Sequence, residues 1–286
     1  MGQGDNLLTP LVSALHGEGR LRVWSLVITI FGDSIQPRGG RVSAARLQEI
    51  LGRLGIEAGA LRTAMSRLVK EGWVERERDG RLSFYRLSPK GVAEFEPATR
   101  RIYSDGSAAA EAWVLALVPN RADLSGGIAM PGGARLWPSG EAPAESVLAQ
   151  AGAVVLRGAL DPLPLAAMRN LAGPGAEADY ARLMADFAPL GRGRIEAMAP
   201  LDALAARTLL IHRWRRLVLR CPDLPATLVP ADWPARQARA LVADLYGRLV
   251  AVSDPWLDAA LPGGITGLPA PDPGFSARFG GLQSSR

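Results

Sequence analysis

One cysteine, two histidines and two lysines are all that this 286-residue chain holds of those three residue types. A single thiol, Cys221, excludes an internal disulfide and suits a reducing compartment. With only His16 and His212, a zinc site with two histidines is barely available and a site with two cysteines is excluded. No apolar run reaches the roughly 18 residues that span a bilayer. The first twenty residues carry two acids and no Lys or Arg before Arg20, unlike a secretory leader, so the expected compartment is the cytoplasm, away from membranes. No Gly-rich strand-to-helix phosphate loop occurs, and GGIAMPGG at 126–133 is plain loop composition. Cys221 sits beside Pro222 in a helix-ending turn, which fits a structural thiol better than a nucleophile. The usual residues of hydrolytic, redox and metal chemistry are thus missing, and the expectation is no enzyme, no metal and no cofactor.

What is present is an uneven arginine-borne charge. The net charge is +5, yet residues 20–103 hold 16 Lys+Arg against 9 Asp+Glu, whereas residues 104–286 hold 17 of each. Both lysines, Lys70 and Lys90, fall in the basic segment. A local excess of this kind favours phosphate, and nucleic-acid binding built on it weakens with salt.

Within that segment, EAGALRTAMSRLVKEG (57–72) has helical spacing. At 100° per residue Leu61, Ala64, Met65 and Leu68 share one face. Arg62, Thr63, Ser66, Arg67 and Lys70 share the other, with no acid among them. Arginine bonds guanine edges bidentately, and hydroxyls reach bases or phosphates. The plainer reading is a solvated helix face. The sequence that follows favours the first: residues 73–78 alternate, Asp79-Gly80 is a hairpin dipeptide, and residues 81–87 return. Arg76, Arg78, Arg81 and Ser83 lie at or near the hairpin tip. Phe84 and Tyr85 fit base stacking or, better, packing of the hairpin onto the helices. Helix followed by basic hairpin is the order of a winged helix-turn-helix, which places the helix in the major groove and the hairpin on the adjacent backbone. Arg38 and Arg41, in the loop ahead of it, join the candidate DNA contacts.

The expected architecture is α+β. A leader (1–19) precedes a buried first helix, 22–31, ended by Gly32-Asp33. Ser43 caps a second helix, 44–54, and Ser88-Pro89 opens another that runs to about Tyr103. These elements make a DNA-binding domain over 20–103. The apolar runs at 113–118 and 153–156 suit buried strands of a small α+β middle domain, 110–195. Tyr180, Leu183, Met184 and Phe187 form a helical stripe within it. A helical C-terminal domain spans 200–260, and a Gly/Pro/Ser-rich tail, 262–286, is expected to be mobile.

Three segments together resemble the PaaX family, bacterial repressors of phenylacetic acid catabolism. They are FGDSIQPRGG (31–40), RTAMSRLVKEGWVERERDGRLSFYRLSPKG (62–91) and LLIHRWRRLVLRCPDLPATLVPADWP (209–234), the last with Cys221-Pro222 where the family has Asp-Pro. The resemblance implies a homodimeric winged-helix repressor with a ferredoxin-like middle domain and a helical C-terminal domain. It implies binding to double-stranded DNA and release by phenylacetyl-CoA or another acyl-CoA. The family's helix after its first middle-domain strand is shortened or lost here, in PNRADLSGGIAMPGGARLWP (119–138). The same middle domain resembles the CRISPR-associated Cas2 fold, but metal-dependent cleavage wants a carboxylate at the end of the first strand, and none occurs before Asp123. An acyl-CoA needs cations for its phosphates and an apolar slot, which Arg213, Trp214, Arg215, Arg216 and Trp233 offer. The competing reading pairs those arginines with Asp223 and Asp232 and puts Trp214 and Trp233 in the core. Against the repressor stands a second class, a protein-interaction module whose winged helix docks a protein.

Overall fold

The computed structural model describes residues 5–17, 21–106, 112–117, 124, 126–191, 193–221 and 224–282. The chain is a mixed helix-and-sheet protein that divides into two compact units. The first comprises residues 1–104, 182–216 and 239–286; the second comprises 105–181 and 217–238. The units therefore do not follow the contiguous boundaries expected from the sequence. Most of the segment 200–260 joins the N-terminal residues instead of forming a domain of its own.

Helices α1 (Asp5–Gly17) and α2 (Val23–Ile30) open the chain. Gly32-Asp33 does not end α2. The helix continues through a π-helical turn, Phe31–Ile35, and a short 3₁₀ turn, Gln36–Arg38. Guanidinium groups bond the carbonyls of this turn, and Arg207 Nη2 donates to Asp33 O at 3.3 Å. Arg278 Nη2 donates to Gly32 O at 3.1 Å and its Nη1 to Asp33 O at 2.9 Å. The sequence signal for a stop was sound locally, and a tertiary contact overrides it.

Strand β1 (Arg41–Ser43) leads to α3 (Ala44–Arg53), where Ser43 accepts the Arg46 amide as an N-cap. Helix α4 (Ala58–Lys70) buries Leu61, Ala64, Met65 and Leu68. Strands β2 (Val74–Asp79) and β3 (Leu82–Leu87) form an antiparallel hairpin in a three-stranded sheet of order β1-β3-β2. Its turn holds Gly80 at φ 57°, a conformation that glycine adopts without a steric cost.

Helix α5 (Pro89–Ile102) starts one residue after the hairpin. Ser88 couples the two: its hydroxyl accepts the Gly91 amide at 3.0 Å and donates to Gly72 O at 2.6 Å. A Cβ at Gly91 would lie 2.4 Å from the Trp73 carbonyl oxygen, which is backbone and cannot step aside. Gly→Ala in a helix ordinarily stabilises by up to about 1 kcal/mol. Gly91→Ala is expected to do the reverse, costing about 1–3 kcal/mol through overpacking. A thermal melt followed by circular dichroism checks the sign.

The second unit holds a four-stranded antiparallel sheet. Its strands are β4 (Trp113–Leu117), β5 (Ile128–Ala129), β6 (Ala134–Pro138) and β7 (Val154–Gly158), in the order β5-β6-β4-β7. Helix α6 (Glu145–Gln150) connects β6 to β7. Val114, Ala116, Leu124, Trp137 and Leu148 form a core cluster there. The link between β4 and β5, where the shortened helix was expected, lies largely outside the described residues; its described residues, Leu124, Gly126 and Gly127, are not helical. Further along come α7 (Leu165–Ala172), α8 (Ala176–Phe187), α9 (Pro200–Arg220) and α10 (Ala235–Asp258). Tyr180, Leu183 and Phe187 of the expected stripe are buried, and Met184 is partly so.

The tail is fixed at least to Leu282, contrary to the expectation of mobility. Leu268 N donates to Leu257 O, Asp272 N to Pro37 O and Phe279 N to Tyr103 O, all within 2.9 Å. Ile265, Phe275 and Arg278 are buried. Asp272 caps a last short helix, α11 (Pro273–Ser276). Gly and Pro richness marked turns correctly, but three anchoring side chains decide the path. Among the described residues no helix is long and apolar enough to cross a membrane.

Candidate nucleic-acid interface

Helix α4 presents Arg62, Thr63, Ser66, Arg67 and Lys70 to solvent, and no acid lies on it between Ala58 and Lys70. Thr63 Oγ1 donates back to Gly59 O at 3.1 Å, so its hydroxyl is left as an acceptor. Arg67 is held from two sides. Its Nε donates to Glu71 Oε1 at 2.7 Å, and its guanidinium sits 5.6 Å from the Trp24 ring centre. With Nε engaged, the four N–H donors on Nη1 and Nη2 are left for a bidentate contact.

The hairpin separates its charges by face. Register pairs Glu75 with Arg86, Glu77 with Phe84 and Asp79 with Leu82 on one face. On that face Arg86 bonds Glu75 at 2.9 Å, and Arg41 bonds Glu77 at 3.0 Å while stacking on Phe84 at 3.5 Å. The other face pairs Arg76 with Tyr85 and Arg78 with Ser83 and carries no acid. Arg76 Nη2 donates to Ser83 Oγ at 2.8 Å. Arg81 is exposed beside the turn. The acid-free chemistry of the hairpin is therefore Arg76, Arg78, Arg81 and Ser83, while Arg41 is largely neutralised by Glu77 and Asp79.

Arg38 must be withdrawn from the DNA contacts. It is only 2% exposed, and its guanidinium pairs with Asp254 at 2.7 Å and Asp258 at 2.6 Å. A third bond reaches Pro269 O. The Pro-Arg-Gly-Gly segment is a structural clasp for the end of α10 and the tail.

Both tryptophans of the expected ligand set are buried, one in each unit. Trp214 is fully buried in the first unit, donating to Ile102 O at 2.8 Å, with the Arg239 guanidinium 5.2 Å from its ring. Trp233 is buried in the second unit, edge-on to Tyr180. Arg213 pairs with Asp186, not with Asp232. Arg215 donates to Ser25 O and Thr29 Oγ1, and Arg216 is exposed. Asp223 lies outside the described residues. Core placement of both tryptophans was the better of the two readings.

Sequence reasoning missed the buried ionic network of the first unit. Asp33, 1% exposed, pairs with Arg207 at 2.7 Å and Arg278 at 3.2 Å. Tyr103 and Tyr246 each donate a hydroxyl to its Oδ1 at 2.8 Å, and Ser34 donates to Oδ2. Arg207 continues to Asp254, which it shares with Arg38. Burial alone raises the Asp33 carboxyl; the two guanidinium charges and the tyrosine bonds outweigh it and hold it below the usual range. Arg46, also buried, donates to Trp256 O and Ala259 O, satisfying carbonyls at the end of α10. The available signal was a lone acid, Asp33, inside an apolar stretch.

The fold and the exposed face thus define an α+β protein with a cationic helix-and-hairpin surface, in the same unit as a network of buried ion pairs. The chain belongs to the PaaX-like family. Residues 22–91 match the PaaX-like protein family and residues 173–259 match the PaaX-like protein C-terminal domain. The chain is 31% identical over 309 aligned residues to a protein of Escherichia coli (strain K12) called "Transcriptional repressor PaaX"; the match covers 99% of this chain and 96% of that one. Among solved structures, the uncharacterized protein Rv0674 from Mycobacterium tuberculosis aligns with 81% of this chain and 97% of its own, at 20% identity and a TM-score of 0.48.

Proposed function

We propose that this protein is a cytoplasmic DNA-binding transcriptional repressor, not an enzyme, whose α4 reads an operator in the major groove. In this reading α3, α4 and the β2–β3 hairpin act as a winged helix-turn-helix, with the acid-free hairpin face on the neighbouring phosphates. The observation that carries it is the acid-free exposed row Arg62, Ser66, Arg67 and Lys70 on a helix followed directly by that hairpin. The name of the Escherichia coli relative supports the same reading. Through the family, the target is an aromatic-acid operon of the phenylacetate type and the releasing signal an aryl- or acyl-CoA, acting on a homodimer. The order β5-β6-β4-β7, all antiparallel, supports a ferredoxin-like middle unit with its first helix reduced.

The test is a gel shift on the chain's own upstream DNA. Arg67→Ala is expected to cost about 1–3 kcal/mol and to relax preference at one base position. Arg76→Ala and Arg78→Ala are expected to weaken all sequences alike and to lower the salt slope by about 1 each. Arg41→Ala, whose charge Glu77 already meets, is expected to change little. Unchanged affinity and sequence preference in Arg67→Ala would remove α4 from its assigned role.

A further inference from the structure

The first unit contains a cavity of about 660 Å³ within the range of small-molecule sites. Three elements wall it: the π-helical turn with Gln36 and Pro37, one stripe of α5, and the tail around α11. Val92, Phe95 and Phe275 supply apolar and aromatic surface. Two further features mark the place as built. A π-turn forms one wall, and such turns are concentrated at functional sites. Phe279, the one non-glycine residue at positive φ (55°) among the described residues, sits beside the cavity-lining Tyr103, its ring centre 5.5 Å away. Strained residues of this kind cluster at ligand clamps.

The polar lining sets the ligand's chemistry. Arg278 is the buried ionic residue of the wall, flat against Tyr103 at 3.8 Å and Phe275 at 4.6 Å. Its partner Asp33 does not line the cavity. Arg100, an exposed residue, also lines it, and among the described residues its guanidinium is in no hydrogen bond or ion pair. Two acids oppose them: Asp272 is occupied in capping Phe275 N, and Glu96 lies one helical turn before Arg100. Two cations against two acids, with no lysine, cannot hold the phosphates of a coenzyme A.

We propose that this cavity binds a small aromatic carboxylate, ring against Phe95 and Phe275 and carboxylate on Arg100. It is a site separate from any acyl-CoA site. Binding itself does not depend on the repressor reading; its regulatory meaning does. Helix α5 begins one residue after β3, so an occupant pressing on α5 bears on the hairpin.

Calorimetric titration of the full chain with naphthalene-2-carboxylate and with its neutral counterpart, 2-naphthalenemethanol, tests the proposal without DNA. The carboxylate is expected to bind at least about tenfold more tightly than the alcohol, the scale of one charged hydrogen bond. Arg100→Gln is expected to weaken the carboxylate about tenfold and leave the alcohol unchanged; Glu96→Gln is expected to tighten the carboxylate. Thr99→Trp, which fills the cavity, is expected to abolish both. Equal binding of the two ligands, or wild-type affinity in Arg100→Gln, overturns the proposal. Wild-type affinity in a folded Thr99→Trp does so too, and if that variant does not fold the two surface variants decide. Loss of operator binding in a separate gel shift would sink the repressor reading and leave this result standing.

Discussion

Asp33→Asn is expected to cost about 3–5 kcal/mol, because it strands buried arginines without their counter-charge. The substitution keeps the shape and leaves Tyr103 and Tyr246 an acceptor, so packing changes little. What it removes is the charge that Arg207, fully buried, and Arg278 both face. Arg207 retains Asp254, but Arg278 has no other carboxylate among its bonds. The damage should therefore fall first on the tail, which Arg278 pins to the π-turn. Two measurements check this. The melting temperature should drop by roughly 10 °C, at about 2–4 °C per kcal/mol for a domain of this size. Limited proteolysis should open a new cleavage site between 263 and 282. A melt within 2–3 °C of wild type, or no new cleavage, would mean that the network is not what holds the tail. Pairing the change with Arg278→Met tests the same point, since removing both charges should cost less than the sum of the two single changes.

This network also explains what was legible in the sequence. Helix α4, the hairpin and the caps at Ser43 and Ser88 rest on contacts within about thirty residues, and periodicity, the Asp79-Gly80 turn and capping chemistry report such contacts directly. Arg62, Ser66, Arg67 and Lys70 could be sorted by face for the same reason. Arg38 could not. It lies in a Pro-Arg-Gly-Gly loop with no apolar period to sort it by face, and partners 216 and 220 residues downstream, Asp254 and Asp258, hold it inward. The tail misled in the opposite sense. Its Gly and Pro content describes local freedom, whereas its fixed course depends on Phe275, Arg278 and backbone bonds to residues more than 170 positions earlier. The two compact units are a further case. Segments 182–216 and 239–286 join the N-terminal residues through side chains such as Arg207, Trp214 and Tyr246, which hydropathy alone reads as ordinary helix interior.

Helix α9 carries the device with the largest expected pH response. His212 is 4% exposed and bonds Thr29 Oγ1 at 3.0 Å through Nδ1. Burial first, then the charges of Arg215, Arg216 and Arg213, push its pKa from 6.5 down to about 3. The folded protein thus keeps the imidazole neutral while the unfolded chain takes up a proton below about pH 6.5. In that window the unfolded state binds more protons, so stability rises with pH and is lost as pH falls from about 6.5 toward 3. At 1.36 kcal/mol per pH unit the full loss is on the order of 5 kcal/mol. That equals the low end of the stability typical of a globular protein. Asp33 acts in a different window. Its folded pKa is lowered from 3.8, so its contribution is present above that value and is lost only below it. Glu177 and Glu196, both held below 4.5 by arginine partners, also act only from about that value downward, so a decline between pH 6.5 and 5 belongs chiefly to His212. Urea unfolding followed by tryptophan fluorescence at pH 7, 5 and 4 should show a fall of roughly 1.4 kcal/mol per unit below pH 6 in the wild type. His212→Asn, which removes the titrating group, should start lower at pH 7 and then hold nearly level to pH 5. Parallel slopes in the two proteins would show that His212 is not the group whose protonation opposes folding, and that the arginines of α9 do not keep it neutral.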